Sequence, residues 1–173
     1  MLREMEREYE GFSKAVRLVM QDAAAGKLRG IHGPVSKLIR VEDRYTTAIE
    51  TALGAAAQNI VVDTQSCGAQ AIELLRRRET GRATFLPLDT IRPMHLNSVP
   101  DQEPGYVGVA DTLVTCAAAY RNIVSNLLGR TVVAETMKDA IAISRRYDYR
   151  YRIVTLDGQL VNAVSYTHLT LPT

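Results

Sequence analysis

Three kinds of side chain in this sequence could do chemistry: metal-binding histidines and cysteines, carboxylates at strand ends, and clusters of cations. His32, His95 and His168 fall in separate regions, and Cys67 and Cys116 stand alone with no CxxC pair. Metal ligands come at recognisable spacings, so no shared metal site is expected, and the two cysteines read as inert thiols. Asp89 and Asp157 each follow a leucine at the end of an expected strand, where an α/β enzyme places carboxylates. Aspartate favours turns, and strand-terminating turns account for both. The sequence holds no GxxxxGK[ST] phosphate loop, no GxGxxG, no HExxH and no GxSxG. No cofactor and no catalysis are expected.

The cations form two groups. Arg76-Arg77-Arg78 and Arg145-Arg146 end two expected helices, where the helix macrodipole favours each positive charge by about 0.3–1 kcal/mol. Lys27, Arg29, Lys37 and Arg40 gather instead where the first helix meets the rest of the chain. With a net charge of only +2, bulk attraction to nucleic acid is weak, and a DNA contact must come from such a local patch. Its affinity would fall steeply with salt.

The elements that position these groups follow from composition and period. The chain has 173 residues, 46% hydrophobic and 23% charged, which is the balance of a folded soluble domain. No apolar run approaches the roughly 18 residues that span a bilayer, so no membrane contact is expected and the cytoplasm is the expected compartment. Leu2, Met5, Tyr9, Phe12, Val16, Val19 and Ala23 recur at alternating steps of three and four. That period predicts a coiled-coil helix over 1–26 whose narrow seam asks for a partner helix. The rival reading is an amphipathic helix lying on its own domain.

The remainder repeats itself. Tyr45 to Gly54 and Tyr120 to Gly129 share a tyrosine and a Leu-Gly at matching offsets. Each stretch precedes a β-branched run, 59–63 and 131–135, that reads as a buried strand. A threonine-capped helix then follows over about 64–78 and 136–147, and a second strand over 82–86 and 152–156. The fold class is therefore mixed α/β, with two helix-strand-helix-strand lobes at 27–104 and 105–163. Pro87, Pro93, Pro100 and Pro104 mark the connector between them.

In this order, Gly30-Ile31-His32-Gly33, Gly81-Arg82-Ala83-Thr84-Phe85-Leu86-Pro87-Leu88-Asp89, Pro104-Gly105-Tyr106-Val107-Gly108-Val109-Ala110, Tyr120 to Gly129, and Tyr151 to Gly158 resemble the bacterial SMC (structural maintenance of chromosomes) hinge. The resemblance implies a homodimerisation domain joining two coiled-coil arms of a chromosome condensation and segregation ATPase. The ATPase heads would lie outside this chain, as would the returning arm of the antiparallel coiled coil, and the protein would be cytoplasmic and nucleoid-associated. It further implies that the dimer forms by sheet edges, the first lobe meeting the partner's second lobe. Gly105, Tyr106 and Gly108 lie on one candidate edge, and Gly158 and Asn162 on the other. Lys27, Arg29, Lys37 and Arg40 remain the candidates for DNA contact.

One departure stands out. The family continues after this point with a glycine-rich stretch, whereas 164–173 carries no glycine and no Asp, Glu, Lys or Arg. That tail reads as foreign to the domain or disordered. The competing function is a small α/β nucleotide- or ligand-binding domain or enzyme, which needs a pocket near Asp89 or Asp157.

Overall fold

The computed structural model describes residues 9–162, which form two compact units. The first takes the chain up to Ile39, then Ala55–Arg92 and Ala117–Ile123. The second takes Arg40–Gly54, Pro93–Cys116 and the chain from Val124. The units thus depart from the linear halves expected from the repeat, because each includes a stretch drawn from the other half.

In the first unit, helix α1 (Lys14–Ala24) starts at Ser13, whose hydroxyl accepts the Val16 N–H and satisfies one of the orphan donors of the first turn. Strand β1 (Ile31–Pro34) runs into a one-turn helix α2 (Val35–Leu38). Strand β3 (Ile60–Val62), helix α4 (Gln65–Arg77) and strand β4 (Phe85–Pro87) make a parallel crossover with Ile60 opposite Phe85. Thr64 caps α4 by accepting the Cys67 N–H. The sheet order is β1-β3-β4, with β1 antiparallel to β3. Ile60, Val61 and Val62 are fully buried, as the central strand of a covered sheet requires.

The seam of α1 belongs to this core. Tyr9, Val16 and Val19 are buried together with Ala15 and Met20 against Ile60, Val62, Ala71, Leu74 and Leu75. Ala15 and Met20 widen the heptad seam into the broad stripe of a helix lying on a globule. Over the described residues the helix is therefore part of the first unit, while Leu2 and Met5 of the expected arm lie outside them.

The second unit opens with strand β2 (Ile39–Val41), whose Ile39 counts with the first, and helix α3 (Asp43–Leu53). Strands β5 (Tyr106–Val109) and β6 (Val114–Cys116) follow. Helix α5 (Arg121–Leu128) leads to strand β7 (Thr131–Ala134), helix α6 (Met137–Arg146), strand β8 (Arg152–Thr155) and strand β9 (Leu160–Val161). Strands β7 and β8 repeat the parallel crossover, and Thr136 caps α6 as Thr64 caps α4. The four-stranded order is β5-β7-β8-β9, and β2 pairs with β6.

Arg152 Nη1 donates to the Ala52 carbonyl and to Thr131 Oγ1, both at 3.0 Å, which ties α3 to this sheet. The expected connector is tied down as well. Tyr151 donates its hydroxyl proton to the Ser98 carbonyl at 3.0 Å, and Arg146 Nη1 lies 3.0 Å from Glu103 Oε1.

The helix-strand-helix-strand reading missed β1 and β5, the leading strand of each half. Both pair antiparallel through a register shift, between Ile31 and Gly33 and between Tyr106 and Gly108. A glycine at such a shift breaks the hydrophobic alternation that reveals a strand. The strand expected at 82–86 begins later, at Phe85, and ends on Pro87, a residue tolerated because β4 is an edge.

Candidate interaction surfaces

The candidate edge residues fall at the two ends of one sheet. Tyr106 and Gly108 are on β5, and Asn162 directly follows β9. Strands β5 and β9 are the outer strands of the four-stranded sheet, so among the described residues each leaves one row of backbone donors and acceptors without a strand partner. The Tyr106 hydroxyl is held above the ordinary tyrosine value, first by burial and then by the nearby Asp101 carboxylate.

The three candidate glycines each have a reason inside their own unit. Gly105 has φ +81°, and an added Cβ would collide with the Asp139 carboxyl group. A Cβ at Gly108 would sit 3.3 Å from Thr112 Oγ1, and one at Gly158 would sit 2.9 Å from Thr47 Cγ2 of α3. They let their own helices and turns close on the sheet.

The first sheet ends differently. Its order β1-β3-β4 leaves β4 as an outer strand, whereas β8, which occupies the same place after its crossover, is covered by β9. Leu88 N–H bonds back to the Val62 carbonyl at 2.8 Å and Ile60 N–H to the Thr84 carbonyl at 2.9 Å. These bonds extend the pairing of β4 with β3, and among the described residues no further strand pairs with β4.

The cations divide. Lys27, Arg29, Lys37 and Arg40 are all exposed. Lys37 places its ammonium 5.7 Å from the centroid of the Tyr9 ring, and Arg40 belongs to the second unit while the other three belong to the first. Lys27 lines a cavity of about 650 Å³ together with Arg77 and Arg78, two residues that helix-end electrostatics alone explained in the sequence. Arg76 is engaged with Glu73 at 2.9 Å.

Each strand-end carboxylate accepts a hydrogen bond within its own unit. Asp89 Oδ1 accepts the Gln65 N–H at 3.2 Å, at the start of α4, and Asp157 accepts the Thr155 hydroxyl. His32 bridges Asp63 and Tyr120: Nε2 is 2.5 Å from Asp63 Oδ1 and Nδ1 is 2.8 Å from Tyr120 Oη. No signal in the sequence joins positions so far apart. Among the described residues no group of three or more His, Cys, Asp or Glu could hold a metal ion. Cys67 and Cys116 form no disulfide and are half-buried, and His168 lies outside the described residues.

Residues 28–144 match the family model described as "SMC proteins Flexible Hinge Domain". The Bacillus subtilis chromosome partition protein Smc is 42% identical over 166 residues, which cover 94% of this chain and 14% of that protein. The chain therefore spans about one seventh of the length of that relative. Among solved structures, an asymmetric dimer of the Geobacillus stearothermophilus SMC hinge domain superposes with a TM-score of 0.86 at 45% identity, covering 94% of this chain and 67% of that one. The Pyrococcus furiosus SMC hinge domain gives 0.72 at 30% identity, covering 92% and 81%.

Proposed function

The chain belongs to the SMC flexible-hinge family, and on that premise we propose that it joins two copies of a chromosome-partition protein edge to edge. The observation that carries this reading is the inequality of the two sheets: β8 is covered by β9, while β4 is left as an outer strand. An open edge of this kind is a template for another chain. In the proposed dimer, β4 of one copy meets the second unit of the other, where Tyr106 and Gly108 lie on β5 and Asn162 follows β9. Gly105 and Gly158 contribute by shaping the ends of those strands. Two such contacts related by a twofold axis close the pair.

The whole protein, on this reading, carries ATPase heads at the far end of antiparallel coiled-coil arms and acts in chromosome condensation and segregation, in the cytoplasm and on the nucleoid. A DNA contact through Lys27, Arg29, Lys37 and Arg40 is part of the same proposal, supported by their exposure. Light scattering over a concentration series, on this chain and on one ending at Asn162, tests the dimer. The mass of two chains is expected at high concentration, falling to one on dilution. If both are monomers, and a third chain given a glycine-rich ending after Asn162 is also a monomer, the reading fails.

A further inference from the structure

We propose that the cavity lined by α1 and α4 is a site for a phosphate group, and that Asp22 regulates it by competing with the incoming anion for Arg78. This rests on the DNA-contact reading above and adds to it a location and a built-in restraint. The cavity, about 650 Å³, is lined by Asp22, Lys27, Gln70, Leu74, Arg77 and Arg78. Three cations and one carboxylate leave it two charges positive, and Gln70 adds an uncharged donor.

Asp22 is the unusual member. Its side chain is only 8% exposed, while that of Arg78 is 46% exposed. Its Oδ2 is buried and accepts no hydrogen bond. The nearest guanidinium nitrogen, Arg78 Nη2, stands 3.6 Å away, too far for a hydrogen bond. The Asp22 carbonyl accepts the Lys27 N–H at 2.9 Å and the Leu28 N–H at 3.4 Å. That turn brings Lys27 to the same cavity as Asp22.

A buried carboxylate with a loose partner is costly to leave alone. A phosphate that draws Arg78 outward removes the cation paired with Asp22, and the phosphate is itself repelled by that carboxylate. Lys27 and Arg77 supply the attraction, and Asp22 lowers the net gain. Removing its charge tightens binding without adding any contact.

Fluorescence anisotropy of a labelled DNA duplex of about 20 base pairs, titrated with the full chain at several salt concentrations, tests this. Lys27→Ala and Arg77→Ala are expected to weaken binding. Asp22→Asn is expected to tighten it about three- to tenfold at low salt, the scale of one like charge removed at close range. In an Arg78→Ala background the Asp22→Asn gain is expected to shrink. Persistence against millimolar inorganic phosphate assigns the site to the DNA backbone, and displacement assigns it to free phosphate, with the chemistry unchanged.

If the wild-type chain binds no duplex, the DNA-contact reading falls and takes this inference with it. If it binds but Lys27→Ala and Arg77→Ala do not matter, the contact lies elsewhere and the cavity is overturned. If those two weaken binding and Asp22→Asn does not tighten it, the competition is overturned. Should Asp22→Asn fail to fold, hydrogen exchange of the wild-type chain decides. Faster exchange at residues 22–28 on duplex binding supports a withdrawn Arg78, and unchanged exchange overturns it.

Discussion

His32 Nδ1 lies 2.8 Å from the hydroxyl of Tyr120, 88 positions further along the chain. The two rings meet edge to face with centroids 5.4 Å apart. With Asp63 on the other ring nitrogen, one imidazole fastens the stretch Ala117–Ile123 to the first sheet. His32→Ala is expected to cost about 1–3 kcal/mol of unfolding free energy, the range for losing such bonds in a half-buried site. Urea denaturation measures it, and hydrogen exchange should show the loss of protection at residues 117–123.

Arg152 does for the second unit what His32 does for the first. Its Nη1 holds the Ala52 carbonyl and Thr131 Oγ1, so Arg152→Met leaves two acceptors without their charged donor. A loss of roughly 1–3 kcal/mol is expected, with faster exchange in α3 as the local signature.

Gly105 and Gly26 share a left-handed backbone, at φ +81° and +78°, but differ in their surroundings. An added Cβ at Gly26 meets nothing within 4 Å, while one at Gly105 collides with Asp139. Gly26→Ala is expected to cost about 1 kcal/mol from backbone strain alone. Gly105→Ala should cost about 2 kcal/mol or more. Equal losses in thermal or urea unfolding would mean that the Asp139 contact is absent.

Tyr106 gives stability a dependence on alkaline pH. Its folded-state value lies above the ordinary tyrosine value of 10.0, so the native state keeps the phenolic proton after the unfolded chain has lost it. The contribution is complete below pH 10 and is lost as pH rises from there through the folded value. Urea midpoints measured from pH 9 to 11.5 should fall less steeply for Tyr106→Phe than for the parent chain.

Both crossovers were legible in the sequence because each part carried its own local signal. A β-branched run marked β3 and β7, threonine caps marked α4 and α6, and the end glycines marked the helices before them. Strands β1 and β5 stayed hidden since glycine interrupts their pattern at the register shift. The period of α1 marked the face that, widened by Ala15 and Met20, packs on its own core over the described residues. Among the cations, sequence proximity grouped Lys27 with Arg29, Lys37 and Arg40, whereas folding brings Lys27 to Arg77 and Arg78. Side chains some 50 positions apart cannot announce that meeting through any local periodicity. The same holds for the chain from His32 through to Tyr120.

The exchange of segments between the halves sets the order in which this domain can be made. A ribosome that has released residues 1–116 has delivered every strand of the first sheet, yet the stretch Ala117–Ile123 that completes the first unit is still missing. Helix α3, already synthesised, must wait longer, because the Arg152 that holds it emerges among the last described residues. The first unit has all its segments once residue 123 has emerged, whereas the second waits for Arg152 and β9, so a chain halted midway exposes apolar surface to chaperones and proteases.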